Sequence, residues 1–128
     1  RANKKAGWNF NLTKPEPSQF TVYDEGQYYD WHIDSSYDVY KKEDDWNGLM
    51  RKLSVTVSLS DPLDYEGGNL EFAIDGDEPG KNLFQTCREI FTKGSIVIFP
   101  SYVWHRITPV TKGRRLSLVQ WNMGPGYV

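Results

Sequence analysis

The sequence predicts a mainly β domain, an antiparallel sandwich or a jelly roll (double-stranded β-helix), in which helices are sparse or lie upstream of the chain start. Three observations carry that expectation. Short runs alternate apolar with polar residues; Gly and Pro clusters separate them at spacings of roughly 8–12 residues; and no helical periodicity persists beyond a few turns.

Taken in order, residues 1 to 7 are basic and polar and read as a frayed terminus. Trp8 to Thr13 alternates and reads as a half-buried strand, stopped by Lys14-Pro15-Glu16-Pro17. Gln19 to Tyr23 reads as a second strand, Asp24 to Gln27 as a turn, and Tyr28 to Asp34 as a third extended run. Ser35 to Asn47 is polar, with the charged run Lys41-Lys42-Glu43-Asp44-Asp45, and reads as a loop or short helical turn at the rim of a site. Lys52 to Ser60 is the cleanest strand, with Leu53, Val55, Val57 and Leu59 on one face and Ser54, Thr56, Ser58 and Ser60 on the other. A hydroxyl face fits solvent, or a polar pocket inside a barrel-like sandwich. Asp61 to Gly68 reads as a loop, Asn69 to Ile74 as a strand and Asp75 to Gly80 as a turn. Leu83 to Phe91 fits either a strand or an irregular edge. Ser95 to Phe99 follows the Lys93-Gly94 turn, and its near-continuous apolar run predicts burial on both faces. Pro100-Ser101 bends the chain, Pro109 to Gly113 reads as a turn, and Arg114 to Trp121 is the last strand.

With 128 residues the chain is expected to be a single domain, 1–128, and its start at Arg1 rather than Met suggests N-terminal truncation. The 15 basic and 17 acidic residues give a net charge of −2, and the basic pairs are too short for a phosphate-binding stripe. Neither nucleic acid nor a membrane is therefore an expected partner. The single cysteine, Cys87, excludes an internal disulfide and fits a reducing compartment. With no secretory segment and no apolar run of bilayer length, a soluble, cytoplasmic protein is expected.

Chemistry concentrates at Tyr29-Asp30-Trp31-His32-Ile33-Asp34. In extended backbone, residues two apart project to the same side about 6–7 Å apart, so His32 and Asp34 can reach one cation. The only other histidine, His105, is the natural third ligand. Two histidines and one carboxylate on one side of an ion leave the opposite positions open, as in non-haem Fe(II) oxygenases. An isolated H-x-D is common by chance, and two core histidines in a β module would look the same. Both histidines, however, stand beside tryptophans, Trp31 and Trp104, rather than in the charged segments.

Open positions need an occupant. Arg114 and Arg115 are adjacent on the last strand, so at most one faces inward; Arg115 shares its parity with Ser117, Val119 and Trp121. A buried guanidinium is costly unless it grips a carboxylate, which it does bidentately. A small 2-oxo dicarboxylic acid, chelating through one end and anchored at the other, meets that need. Two solvent-facing arginines at a strand start are the plain alternative.

Tyr29-x-x-His32-x-Asp34, Gly67-Gly68-Asn69-Leu70-Glu71-Phe72, Phe99-Pro100-Ser101 and the run from His105 to Arg115 occur in that order. Together they resemble the Fe(II)/2-oxoglutarate-dependent dioxygenases, most of all the prolyl 4-hydroxylase-like branch with its microbial and phage hydroxylases. The resemblance covers Phe20 to Trp121. It implies Fe(2+) on His32, Asp34 and His105, and 2-oxoglutarate anchored by Arg115, which stands six residues before Trp121 as the family's arginine does. It implies that Tyr23 lines the cosubstrate or substrate pocket, and that ascorbate can serve as reductant. Where several relatives place a tyrosine near the cosubstrate, this chain has Ser58. The implied reaction is hydroxylation of a C–H bond with O2, releasing succinate and CO2. Prolyl residues of a peptide or protein are the implied substrate, contacted by Tyr29, Trp121 and the 35–50 loop. Free amino acids or other small molecules remain open as substrates, and a non-catalytic jelly-roll binding module or a cupin-like enzyme with another metal remain alternatives.

Overall fold

The computed structural model describes residues 1–35, 48–74 and 84–126. Among these, eleven strands form: β1 (Lys14–Pro15), β2 (Gln19–Tyr23), β3 (Tyr29–His32), β4 (Leu49–Ser58), β5 (Tyr65–Gly67), β6 (Leu70–Ala73), β7 (Phe84–Thr86), β8 (Ile96–Pro100), β9 (His105–Ile107), β10 (Val110–Gly113) and β11 (Arg115–Pro125). All pairings are antiparallel. One sheet runs β1-β11-β4-β8, with β2 also on β11; a second runs β3-β9-β6-β7; β10 and β5 pair apart from both. The architecture is the jelly roll that the alternation pattern predicts. No helix among the described residues is long and apolar enough to cross a membrane.

The long strands β4 and β11 pair from Ser58–Ser117 to Leu49–Pro125 and form the backbone of the larger sheet. Their inward faces are polar: Ser54, Thr56, Ser58, Ser60, Arg115 and Ser117 are all buried. The hydroxyl face of β4 thus looks into the interior and not to solvent. The apolar core lies beside it, where Leu70, Ile90 and Ile107 pack with Tyr23, Phe72, Cys87, Phe91 and Val97. Fully burying side chains of this size contributes about 1.5–3 kcal/mol each.

Several local expectations change. Trp8 to Thr13 is not a strand, because Asn9 takes a left-handed φ of 50° that interrupts extended pairing. The strand lies instead at Lys14–Pro15, with Thr13 N–H donating to the Met123 carbonyl and Glu16 N–H to that of Trp121. The first residues form a short helix, Ala2–Lys5, tied down by Asn3, whose side chain bonds both the N–H and the carbonyl of Phe10 at 2.9 Å. Pro109 to Gly113 is mostly strand, since β10 finds a partner in β5, itself inside the expected 61–68 loop. Ser95 to Phe99 is not buried on both faces: β8 is an edge strand, and Ile96 is 61% exposed. Of the stretch Leu83 to Phe91, residues 84–91 hold β7 and a 3-10 turn, Glu89–Phe91, and Leu83 lies outside the described residues. The expected turn at 75–80 and most of the 35–47 loop lie outside the described residues.

Candidate metal centre

β3 and β9 are adjacent, and their register sets His32 directly opposite His105, with Phe72 of β6 next in the same row. The two imidazole centroids are 4.2 Å apart. Asp34 follows β3, where the backbone leaves the sheet: its N–H and that of Ser35 both donate to the Ser101 carbonyl, at 2.9 and 3.0 Å. That clamp turns the Asp34 side chain toward the histidines. His32 Nε2 and His105 Nε2 each lie 3.4 Å from the same oxygen, Asp34 Oδ1. The three ligand atoms fall within 4.8 Å of one another.

The protonation pattern suits a cation. His32 Nδ1 is 2.6 Å from the Asp30 carbonyl and His105 Nδ1 is 2.9 Å from that of Val103. A carbonyl only accepts, so each Nδ1 carries a proton and each Nε2 is the nitrogen turned toward Asp34, where it donates to the carboxylate when it holds a proton and offers a lone pair to a cation when it does not. Burial pushes the Asp34 carboxyl up, but hydrogen bonds from His105, His32 and Ser54 and the charge of His105 outweigh it and hold the group well below the usual carboxylate range. Asp34 is therefore anionic. A ring of two imidazole lone pairs and one carboxylate oxygen is a donor set that Fe(II) accepts.

A cavity of about 750 Å³ opens over these atoms between the sheets. Its lining includes His32, Asp34, His105, Tyr23, Arg115 and Trp121. Arg115 is 4% exposed, and among the described residues no carboxylate lies within ion-pair distance of it. Burial lowers its affinity for the proton, an effect opposed by Tyr65 and Tyr23. Tyr23 sits directly across from it on β2, with the guanidinium 5.7 Å from the ring centroid. Arg114, of opposite parity, points to solvent and pairs with Asp24 at 2.7 Å. Gly68 makes room: a Cβ there would come within 2.9 Å of Arg115 Cδ, and its φ of 58° suits glycine.

The remaining anticipated contacts are spread around the mouth. Tyr29 is 52% exposed, with its ring tilted 36° against that of His32 at 3.7 Å between centroids. Trp121 carries the Arg51 guanidinium 3.7 Å over its ring, and Glu16 grips Arg51 through two 3.0 Å hydrogen bonds. Ser58 is buried beside Ser117 but contributes no wall to the cavity. Sequence reasoning missed Tyr65, 8% exposed and hydrogen-bonded to Arg115, and the roles of Ser54 and Ser101 behind Asp34. A tyrosine in an expected loop and a serine on an expected strand carry no signal of the neighbours they acquire on folding.

The family profile described as the 2OG-Fe(II) oxygenase superfamily matches residues 18–123. The chain belongs to that superfamily. A PKHD-type hydroxylase of Psychrobacter sp. (strain PRwf-1) is 37% identical over 106 residues, covering 82% of this chain and 37% of the relative. Among solved structures, a Pseudomonas putida prolyl-4-hydroxylase superposes with a TM-score of 0.63 at 24% identity, over 92% of this chain and 57% of that one. A Trichoplax adhaerens prolyl hydroxylase, solved with a hypoxia inducible factor oxygen degradation domain peptide fragment, superposes with a TM-score of 0.63 at 20% identity, over 89% and 46%. The chain spans well under half the length of the curated relative. The superfamily implies Fe(2+) and 2-oxoglutarate, and the convergent Nε2 atoms and the buried Arg115, which has no carboxylate in ion-pair reach among the described residues, fit both.

Proposed function

We propose that residues 1–128 form the jelly-roll domain of an Fe(II)- and 2-oxoglutarate-dependent dioxygenase that hydroxylates a C–H bond of a prolyl residue in a peptide or protein. His32, Asp34 and His105 are its metal ligands, Arg115 anchors the distal carboxylate of 2-oxoglutarate, and Tyr23 borders that anchor. The observation that carries this reading is one cavity lined both by the His-Asp-His set and by a buried guanidinium that meets no carboxylate among the described residues. When bound, iron and 2-oxoglutarate supply the oxidising power with O2, and succinate and CO2 leave as products.

The chain's own residues supply position and environment. The carbonyls of Asp30 and Val103 fix both imidazole tautomers, so the ring nitrogens need no rearrangement to ligate. Arg115, itself buried, offers two parallel N–H donors to a carboxylate and sets the direction from which the cosubstrate approaches the triad. Phe99 and Phe72, whose rings lie 4.7 and 6.2 Å from that of His105, exclude water behind the histidine. Tyr29 is an exposed aromatic surface beside the histidines, suited to an apolar ring such as that of proline, and Trp121 lines the same cavity. The peptide reading draws on the solved relatives, one of which holds a peptide fragment. A free Cys87 suits a reducing, cytoplasmic setting.

The test is succinate formation from 2-oxoglutarate with added Fe(II) and ascorbate. His105→Ala is expected to abolish both metal retention and turnover; unchanged metal content would overturn the ligand assignment. Supplying proline-containing peptides and free proline separately distinguishes a peptide hydroxylase from one acting on a free amino acid. Mass gain of one oxygen on the peptide alone is the expected result.

A further inference from the structure

We infer that Ser54, held in turn by Ser101, is a positioning residue that keeps Asp34 a one-oxygen ligand. Ser54 Oγ lies 2.6 Å from Asp34 Oδ2, the oxygen that does not face the histidines. An anionic carboxylate only accepts, so the single Ser54 hydroxyl proton is committed to it. Ser54 Oγ and Ser101 Oγ are 2.8 Å apart, and since Ser54 has no second proton, Ser101 must be the donor between them. The direction of the whole chain follows: Ser101 O–H to Ser54 O–H to Asp34 Oδ2.

The chain is rigidly mounted. Ser54 is 1% and Ser101 0% exposed, so neither hydroxyl can turn to water instead. Ser101 N–H donates to the Lys52 carbonyl of β4, and the Ser101 carbonyl receives both Asp34 N–H and Ser35 N–H. One residue after β8 therefore clamps the Asp34 backbone while its hydroxyl, through Ser54, clamps the far carboxylate oxygen. Ser54 itself sits opposite Phe99 and Trp121 in the centre of the larger sheet, where strand pairing on both sides fixes its Cβ direction.

The consequence concerns how many positions stay free. A ferrous ion with three protein ligand atoms keeps half of an octahedral shell open, enough for a two-oxygen chelate and one further ligand. A carboxylate that swung to offer both oxygens would take one of those positions. Held by Ser54 through Oδ2, Asp34 would not make that swing and would offer a bound ion Oδ1 alone. This inference rests on the function proposed above, and it extends that reading from the ligands to the side chain that sets their denticity.

The experiment uses Co(II) as the probe, with affinity read by titration and coordination read from the visible absorption spectrum, followed by 2-oxoglutarate binding to the Co(II)-saturated protein. Ser54→Ala is expected to weaken Co(II) binding about 10–100-fold, to alter the Co(II) spectrum, and to weaken 2-oxoglutarate binding even at saturating metal. Ser54→Thr, which retains the hydroxyl, is expected to restore the spectrum. Ser101→Ala, which removes the group orienting Ser54, is expected to fall between wild type and Ser54→Ala. A purely structural role for Ser54 would lower thermal stability and leave the saturated spectrum and 2-oxoglutarate binding at wild-type values, and that result would overturn the inference. If Ser54→Ala does not fold, an unaltered spectrum in Ser101→Ala overturns it equally. Should the wild-type protein bind Co(II) no better than His105→Ala, the triad assignment itself falls, an outcome separable from wild-type binding that Ser54→Ala and Ser101→Ala leave unchanged.

Discussion

A guanidinium that is 4% exposed and has no carboxylate in reach among the described residues is an expensive thing for a fold to keep. Arg115 is tolerable because Tyr65 and Ser117 accept from it weakly and because a bound dianion would neutralise it. A bidentate, charge-assisted contact of this kind contributes about 2–3 kcal/mol. Arg115→Ala is therefore expected to raise the 2-oxoglutarate concentration for half-saturation about 30–150-fold, measured by anaerobic titration. Arg114→Ala removes only an exposed pair with Asp24 and is expected to change it less than about threefold; an effect as large as that of Arg115→Ala would reverse the assignment. Strand parity alone separated these neighbours, because side-chain alternation is a local property. Tyr65 and Ser101 illustrate the opposite case. Each is 8% exposed or less and touches the site, yet each reaches it only because distant strands converge.

At the level of strands, the site depends on where the chain turns into and out of pairing. Gly113 ends β10 with a φ of 76°, and a Cβ there would collide with the Asp64 carbonyl oxygen. No side chain can be accommodated without moving the β5–β10 pair, and Arg115 begins only two residues later. Gly113→Ala is expected to destabilise the fold by about 2–4 kcal/mol, measured by denaturant unfolding, and to weaken 2-oxoglutarate binding as well. Leu70→Ala, in the small apolar cluster with Ile90 and Ile107, is expected to cost about 2–5 kcal/mol with its largest effect on stability rather than on cosubstrate affinity. The strands at 19–23, 29–32, 49–58, 70–73 and 115–125 were readable from alternation, each within a few residues. β5 and β10 were not, because glycine and proline at their ends advertise turns while the pairing that makes them strands is long-range. Trp8 to Thr13 erred the other way, its alternation outvoted by the left-handed Asn9.

Across the whole molecule, the two sheets stand apart far enough to leave a cavity of about 750 Å³, and the ligands that would fill it belong to both. Such a cavity predicts strong coupling between binding and stability. Mn(II) and 2-oxoglutarate together, each near 100 times its dissociation constant, are expected to raise unfolding free energy by at least about 2.7 kcal/mol. A chelator should reverse the rise, and His105→Ala should eliminate it; a shift that survives in that variant would mean the metal binds elsewhere. The order of residues alone determined that the fold is built of antiparallel strands and that Arg115 and Arg114 project to opposite sides. Those are consequences of a two-residue repeat. Only the tertiary structure decided that β3 and β9 lie side by side with His32 facing His105, that the hydroxyl face of β4 looks inward, and that Ser54 and Ser101 stand behind Asp34. The reason is that register between strands some 70 residues apart is settled by which faces can be buried together, a property of the assembled sheets that no window along the chain contains.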